Sequence, residues 1–278
     1  MQPHLNGLPV EIANSGWRDY GNRAGCDRLL NILNEVGVPA SAVVNSDVVD
    51  AEPDLFKRLV SLKRKEGRAC WLDILGHGKN NSLGMAGKSF EEEMSDTQQI
   101  LRTLSQGVAQ ARGEGEKPAQ RIPGWLSPGF SVTLDTPRVL AMNGVASMMD
   151  ATDDDVVYQL AWGVDKEEEG GGSIVVVPYS METNDISLCL SRNFTGREYG
   201  DTLIDHVTQL CRESSRRTSP SPVVVCWGLH TFIAGTPAKA LHFKRAIETL
   251  QQELPDDVWW CNASMLLDHL RVSNTNIL

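Results

Sequence analysis

The sequence predicts an α/β fold, either a (β/α) barrel or an open α/β sheet, built from one chain of 278 residues. Short apolar runs, rich in β-branched and aromatic residues, alternate with longer segments of helical periodicity. Such runs are typical of buried, mostly parallel strands. No internal repeat and no linker of domain size interrupts the alternation, so we expect a single domain over residues 1–278.

Seven apolar runs are predicted as strands. Each is short and lies between helical or polar segments, as expected for strands of a parallel sheet. The runs are residues 40–45, 70–76, 122–126, 145–149, 174–178, 223–229 and 258–261.

Seven segments between these runs are predicted as helices. In the first segment Gly37 follows the last apolar position, and in the second Pro53 stands in the first turn; both are typical helix boundary signals. The polar run 165–173 before the fifth strand is interpreted as a solvated, hairpin-like loop rather than a calcium site, since it lacks spaced ligands. The predicted helices are residues 25–36, 53–66, 90–111, 136–143, 196–213, 237–253 and 263–271.

The charge distribution argues against two classes of partner. The net charge is −10, and residues 63–65 form the one basic cluster, so we expect no nucleic-acid partner. No apolar run approaches the roughly 20 residues needed to cross a bilayer, so we expect no membrane partner. The expected partner is a small-molecule substrate.

The cysteines and the N-terminal residues predict a cytoplasmic location. The six cysteines are scattered and form no C-x-x-C pair, which favours free thiols in a reducing compartment. The first residues show no basic start followed by an apolar block, as a secretory signal would.

Polar side chains follow the predicted strands, and ligands of both candidate folds bind at the carboxyl ends of strands. His77 and His230 stand directly at two of these strand ends, and histidine is the usual proton-transfer group near neutral pH. One such histidine alone is more often structural, but two at strand ends favour a function. The other polar residues after strands are Asn45, Lys79, Asn81, Ser127, Asp150, Asp153, Asp154, Asp155, Tyr179, Glu182, Asn184 and Asp185.

Several well-known site patterns are missing from the sequence. A zinc site of the His-x-x-x-His type would need a histidine four residues after His77, but Asn81 stands there and is a poor zinc ligand. The serine-hydrolase elbow, the P-loop and the dinucleotide-binding pattern are also missing. We therefore expect no metal and no cofactor.

A set of motifs, in order and with consistent spacing, resembles the polysaccharide deacetylase superfamily, in particular the branch of metal-independent allantoinases and cyclic imide hydrolases. The resemblance covers roughly residues 17–269 and implies a distorted (β/α) barrel that hydrolyses amide-type C–N bonds. The motifs are WRDYGNRAGCDRLLNILNEVGVPASAVVNS, GHGKNNS followed by GM, GWLSPGFSVTLDTPRVLAMNGV, the aspartate cluster after residue 149, VPYSMETND and LHTFIAGTP.

The resemblance also implies roles for individual residues. His77 matches the first histidine of the zinc motif, and His230 matches the histidine that protonates the leaving nitrogen. The catalytic set is then His77, Glu182 and His230. The expected substrate-binding residues are Trp17, Arg18, Tyr20 and Arg23 of an entry loop, with Trp125, Ser127, Asp150, Asp154, Tyr179, Asn184 and Asp185.

Two departures from the family pattern shape these expectations. Sixteen residues precede Trp17, and none forms an apolar strand, so the first barrel strand and its acidic residue are expected to be missing. Ala151 stands where a tryptophan usually follows the aspartate. An incomplete barrel exposes an edge, and this predicts a homo-oligomer.

The preferred hypothesis is a metal-independent hydrolase of a small amide, cyclic ureide or imide. The base would be Glu182 or an aspartate of residues 150–155, His230 would be the acid, and His77 would hold the oxyanion or the water. Arg18, Arg23 and Trp125 would grip a planar substrate. The alternative is a repurposed or pseudo-hydrolase that performs a non-hydrolytic biosynthetic step; a zinc deacetylase acting on a glycan fits less well.

Overall fold

The computed structural model describes residues 12–62, 72–81, 87–113, 121–163, 171–214, 223–254 and 256–272. All structural statements below refer to these residues.

The described residues form one mixed sheet in which all strands run parallel except β5, which pairs antiparallel with β6. The order across the sheet is β1-β2-β3-β4-β6-β5, so β1 and β5 lie at its edges and the barrel is not closed. The strands are β1 (Ala40–Val44), β2 (Leu72–Gly76), β3 (Gly124–Trp125), β4 (Ser147–Met148), β5 (Tyr158–Trp162) and β6 (Gly172–Val176).

Five of the seven predicted strands are confirmed, in β1, β2, β3, β4 and β6, most of them shorter than expected. The predictions for 223–229 and 258–261 were wrong, because in the described chain these segments make no ladder and Val223 forms only an isolated bridge with Val156. The missed strand β5 pairs antiparallel with β6 and takes the edge that a following parallel strand would need. A hairpin brings neighbouring segments together at little loop-closure cost. Residues 165–170 of the predicted loop lie outside the described residues, and its residues 172–173 belong to β6.

Helices cover the sheet, and all seven predicted helices are confirmed. Helix α4 ends at Ser61, because Leu62 adopts an extended conformation directly after it, and residues 63–66 of the predicted helix lie outside the described residues. The helices are α1 (Ile12–Tyr20), α2 (Cys26–Val36), α3 (Asp47–Ala51), α4 (Pro53–Ser61), α5 (Phe90–Arg112), α6 (Thr136–Met142), α7 (Gly196–Ser214), α8 (Pro237–Glu253) and α9 (Ala263–Val272). None of the described helices is long and apolar enough to cross a membrane.

The predicted entry loop is helical, which corrects the expectation for Trp17, Arg18 and Tyr20. Helix α1 continues through a π-helical turn, Gly21–Gly25, into α2. This turn packs against the segment after His230, and a Cβ at Gly25 would lie 2.0 Å from the carbonyl oxygen of Thr231. Docking of the backbone on that segment therefore explains the glycine and places the N-terminal helix beside the strand ends.

One large apolar core lies between the sheet and the helices, with a smaller cluster beside β6 and α9. Trp125, Tyr199 and Phe243 are among the largest fully buried side chains. Residues 1–11, where the first barrel strand would be sought, lie outside the described part of the chain. The carboxyl ends of β2, β3, β4 and β6 meet at one edge of the core, where the predicted site residues were expected.

Candidate active site

The site contains a histidine–aspartate pair whose carboxylate makes three hydrogen bonds. Nδ1 of His230 lies 2.6 Å from Oδ1 of Asp185, and Oδ2 of the same carboxylate accepts hydrogen bonds from the backbone N–H groups of His230 at 2.8 Å and Ala234 at 3.1 Å. The Asp185 side chain has no exposed surface, whereas that of His230 is 34% exposed. A carboxylate acceptor places the proton on Nδ1, so Nε2 is the nitrogen that can exchange a proton with a ligand.

His77 follows β2 and is held in one tautomer. Its Nδ1 lies 2.5 Å from the carbonyl oxygen of Leu126, and a carbonyl can only accept, so Nδ1 carries the proton and Nε2 keeps a lone pair. Burial lowers the pKa of His77 to about 4; the Leu126 hydrogen bond opposes this, and the nearby His230 adds to it. The imidazole is therefore neutral at pH 7 and accepts hydrogen bonds through Nε2.

Asp150 lies two residues after the end of β4. Its buried carboxyl group has one oxygen without a hydrogen-bond partner. Its Oδ1 accepts a hydrogen bond of 2.7 Å from the backbone N–H of Ser127, and its buried Oδ2 has no hydrogen-bond partner. Burial raises the pKa of Asp150 to about 7, although the Ser127 hydrogen bond acts in the opposite direction. Since Leu126 and Ser127 are consecutive, the His77 imidazole and the Asp150 carboxyl group are anchored to neighbouring residues of one loop.

Trp125 belongs to the core, so the prediction that it stacks on a substrate was wrong. Its side chain is fully buried, its ring would touch a Cβ added at Gly76, and its Nε1 donates to Oγ of Ser127 at 2.9 Å. Ser127 is itself buried and contributes its backbone N–H to Asp150. Trp125 therefore affects the site indirectly, through its hydrogen bond to the Ser127 side chain.

Tyr179 and Asn184 form a second buried polar pair near the His230–Asp185 pair. Nδ2 of Asn184 donates to the Tyr179 hydroxyl at 3.2 Å, so the phenol proton is available for another acceptor. Burial, and the nearby Asp185 charge after it, raise the pKa of Tyr179 and keep it protonated. Gly228 is required beside this pair, because a Cβ there would lie 1.8 Å from the tyrosine oxygen. Phe130 packs edge-on against Tyr179 in a left-handed conformation with φ of 55°.

Glu182 does not lie with the catalytic groups, which corrects its assignment as a base. Its carboxylate forms two hydrogen bonds with Arg192, at 2.9 and 3.0 Å, and its side chain is 57% exposed. Arg192 lowers the pKa of Glu182, which makes this carboxylate a weaker base. Asp154 is also exposed and accepts a hydrogen bond from the N–H of Asp155, so it serves its own turn rather than the site.

An aromatic rim connects helix α1 to His230. The Phe232 ring packs edge-on at 5.8 Å from the His230 ring and at 5.0 Å from the Trp17 ring, as measured between centroids. The guanidinium carbon of Arg18 lies 4.9 Å from the centre of the Phe232 ring. Phe232 was missed by the sequence reasoning, and its position two residues after His230 was the available signal.

The other two residues of the predicted entry loop have structural partners. Tyr20 accepts a 2.8 Å hydrogen bond from Arg28 through its hydroxyl group. Arg23 is exposed, and its Nε donates to the carbonyl oxygen of Asp19. The structure therefore does not bring Tyr20 or Arg23 to the predicted substrate-binding set.

The described side chains include no group of three histidine, cysteine, aspartate or glutamate residues close enough to hold a metal ion. Asn81, at the position of a second zinc ligand, follows His77 on the same loop. Metal independence itself stays a prediction.

This protein shares its fold with known proteins of solved structure. No family model and no curated protein matches the chain. A solved structure described as a polysaccharide deacetylase from Pseudomonas aeruginosa PAO1 superposes with a TM-score of 0.76 at 22% identity, covering 98% of this chain and 80% of that one. PuuE allantoinase gives 0.76 at 21% identity, with coverages of 98% and 80%. A polysaccharide deacetylase structure from Mycobacterium smegmatis gives 0.71 at 21% identity, with coverages of 95% and 82%. These likenesses confirm the predicted deacetylase-type fold.

Proposed function

We propose that this protein hydrolyses an amide-type C–N bond in a small molecule, such as a cyclic ureide, a cyclic imide or an N-acyl amide, without a metal ion. The observation that carries the proposal is the His230–Asp185 pair, placed near a neutral His77 and close to the loop that holds Asp150. The fold shared with PuuE allantoinase supports the proposal.

Asp150 is the general base of the proposed reaction. Its pKa of about 7 lets the carboxylate take a proton from water near neutral pH, and a water admitted beside its buried Oδ2 would meet an acceptor without a partner. Nε2 of His77 has a lone pair and accepts a second hydrogen bond from the same water. We prefer this role for His77 to that of an oxyanion donor, because a neutral imidazole whose only proton is committed to Leu126 has no donor left for an oxyanion.

Two further groups complete the proposed mechanism. The Tyr179 hydroxyl, whose proton is not used by Asn184, donates to the carbonyl oxygen as negative charge develops there. Nε2 of His230, oriented by Asp185, gives a proton to the leaving nitrogen as the C–N bond breaks. Water supplies the hydroxyl group of the new acid, and proton exchange with solvent restores both catalytic groups.

The test combines a substrate panel with control of the metal content. Purified protein, before and after treatment with a chelator, is incubated with allantoin, succinimide and succinamate from pH 5 to 9. We expect hydrolysis of at least one compound at the same rate in both samples. No hydrolysis at any pH, or activity that zinc alone restores after chelation, would overturn the proposal.

One observation favours the alternative of a repurposed enzyme. Glu182, one of the two alternatives expected for the base, is held in an exposed ion pair with Arg192, while the buried polar groups of the site are retained. A protein that binds members of the panel in calorimetry but opens none of them would favour a binding or non-hydrolytic role.

We also propose a homo-oligomer, based on the edge strand β5. Three consecutive residues of this uncharged strand, Gln159, Leu160 and Ala161, are exposed, and its outer edge makes no ladder with another described strand. Light scattering on the purified protein should give a mass of at least two chains. A monomer mass at micromolar concentration would contradict the proposal.

A further inference from the structure

Arg18 and the proposed catalytic histidine, His230, both pack against one aromatic ring, that of Phe232. Its guanidinium carbon is 4.9 Å from the centre of the Phe232 ring, and that centre is 5.8 Å from the centre of the His230 ring. The guanidinium group therefore lies no farther from the imidazole than the sum of these two distances. A small molecule can contact both groups at once.

The charge of Arg18 is not balanced within the described structure. No carboxylate of a described residue lies within ion-pair distance of it, whereas Arg58 pairs with Asp27 and Arg192 pairs with Glu182. Arg18 is half-buried, and this burial lowers its pKa. A partly desolvated cation without a counter-ion gains from an anionic ligand more than an exposed arginine does.

The position of Arg18 beside the site matters because of the overall charge. The formal net charge is −10, so the overall field repels anions, and a cation beside the site offsets that repulsion locally. The planar guanidinium group stacked on Phe232 keeps its N–H edge available, and that edge matches the two oxygens of a carboxylate.

We propose that the substrate carries a carboxylate, which Arg18 binds while His230 acts on the C–N bond. This inference rests on the proposed function and names its substrate class. Hydrogen bonds occupy about 3 Å at each end of the ligand, so a spacer of a few bonds separates the carboxylate from the reacting amide. Half-amides of short dicarboxylic acids, such as succinamate, have this form. Hydrolysis of succinamate adds water across the C–N bond and gives succinate and ammonia.

The test compares two substrates that differ only in charge. Succinamate carries a carboxylate where succinamide carries a second carboxamide, so the ratio of their kcat/KM values reports recognition of the charge. We expect the native protein to prefer succinamate by about 10- to 100-fold, the size of a charge-assisted hydrogen bond. Arg18→Gln should bring the ratio close to one. Arg58→Gln removes one positive charge from an exposed pair and should leave the ratio unchanged.

A binding measurement separates this inference from the proposed function. Calorimetric titration with succinate needs no turnover, and we expect Arg18→Gln to weaken binding at least 10-fold while Arg58→Gln does not. Succinate binding that depends on Arg18, without hydrolysis of any compound, would support the carboxylate site and reject the hydrolase. Hydrolysis with equal kcat/KM for both substrates in native protein and Arg18→Gln would reject the carboxylate site and leave the hydrolase standing.

Discussion

Asp185 and His230 are 45 residues apart in the sequence, yet the carboxylate of the first holds both the backbone and the ring of the second. Nδ1 of His230 lies 2.6 Å from Oδ1 of Asp185, and Oδ2 accepts the backbone N–H groups of His230 and Ala234. One fully buried carboxylate therefore fixes the fold of the segment after Gly228 and the tautomer of the proposed acid. The local fold and the proposed proton transfer therefore both depend on the Asp185 carboxylate.

Two substitutions at His230 separate these roles. His230→Asn retains an amide donor in the place of Nδ1 but lacks Nε2, so we expect hydrolysis to fall at least 100-fold with little change in Tm. His230→Ala should lose the same activity and also leave a buried oxygen of Asp185 without a donor, at a cost of about 1 to 3 kcal/mol. Activity assays and thermal melts of both variants check this. A loss of activity smaller than about 10-fold in His230→Asn would contradict the role of Nε2.

The rate of hydrolysis should depend on the ionisation of Asp150. Because the base must be the carboxylate and its pKa is about 7, kcat/KM should rise as the pH increases from 5 toward neutrality. Asp150→Asn retains an acceptor for the Ser127 N–H but cannot take a proton, so activity should fall at least 100-fold. A native profile that is flat from pH 5 to 8 would exclude Asp150 as the base.

The free energy of unfolding should depend on pH in two opposing ways. The pKa of His77 is lowered from 6.5 to about 4, so the unfolded chain binds the proton more tightly, and stability is lost as pH falls through this range. The pKa of Asp150 is raised from 3.8 to about 7, so the folded protein binds that proton more tightly, and stability is lost as pH rises. At about 1.4 kcal/mol per pKa unit, each effect amounts to roughly 3 to 4 kcal/mol.

Single substitutions should reveal each dependence by itself. His77→Asn keeps a donor for the Leu126 carbonyl but does not titrate. When the pH is raised from 4.5 to 6.5, the stability of this variant should therefore fall relative to that of the native protein. Asp150→Asn should show the opposite change over the same range. Urea unfolding at the two pH values measures both, with native protein as the reference for all other groups. Identical pH dependence in all three proteins would show that neither group is perturbed.

Glu182→Gln should have little effect. The carboxylate is exposed and paired with Arg192, and such surface pairs contribute about 0 to 1 kcal/mol. We therefore expect kcat/KM within about threefold of the native value and a nearly unchanged Tm. The same assay applied to Asp150→Asn provides the contrast. A loss of activity at Glu182 comparable to that at Asp150 would restore the original assignment of the base.

The sequence predicted seven of the nine described α-helices, all but α1 and α3, and most of the parallel strands, because these depend on local periodicity and on boundary residues such as Gly37 and Pro53. It failed at 223–229, where an apolar run with every local property of a strand makes no ladder, because β5 occupies the edge of β6. Sheet pairing is a competition between segments distant in the chain, and no local pattern records its outcome.

The same division applies to the site. The sequence by itself determined which residues follow the confirmed strands, and so placed His77 and Asp150 at one edge of the molecule, because parallel strands end together. It placed His230 there through a strand at 223–229 that does not form. Only the tertiary structure decided their roles, by burying Asp150 and Trp125, exposing Glu182 to Arg192 and joining Asp185 to His230. A pKa, a tautomer and an ion pair depend on burial and on partners brought from elsewhere in the chain, and these exist only once the chain has folded.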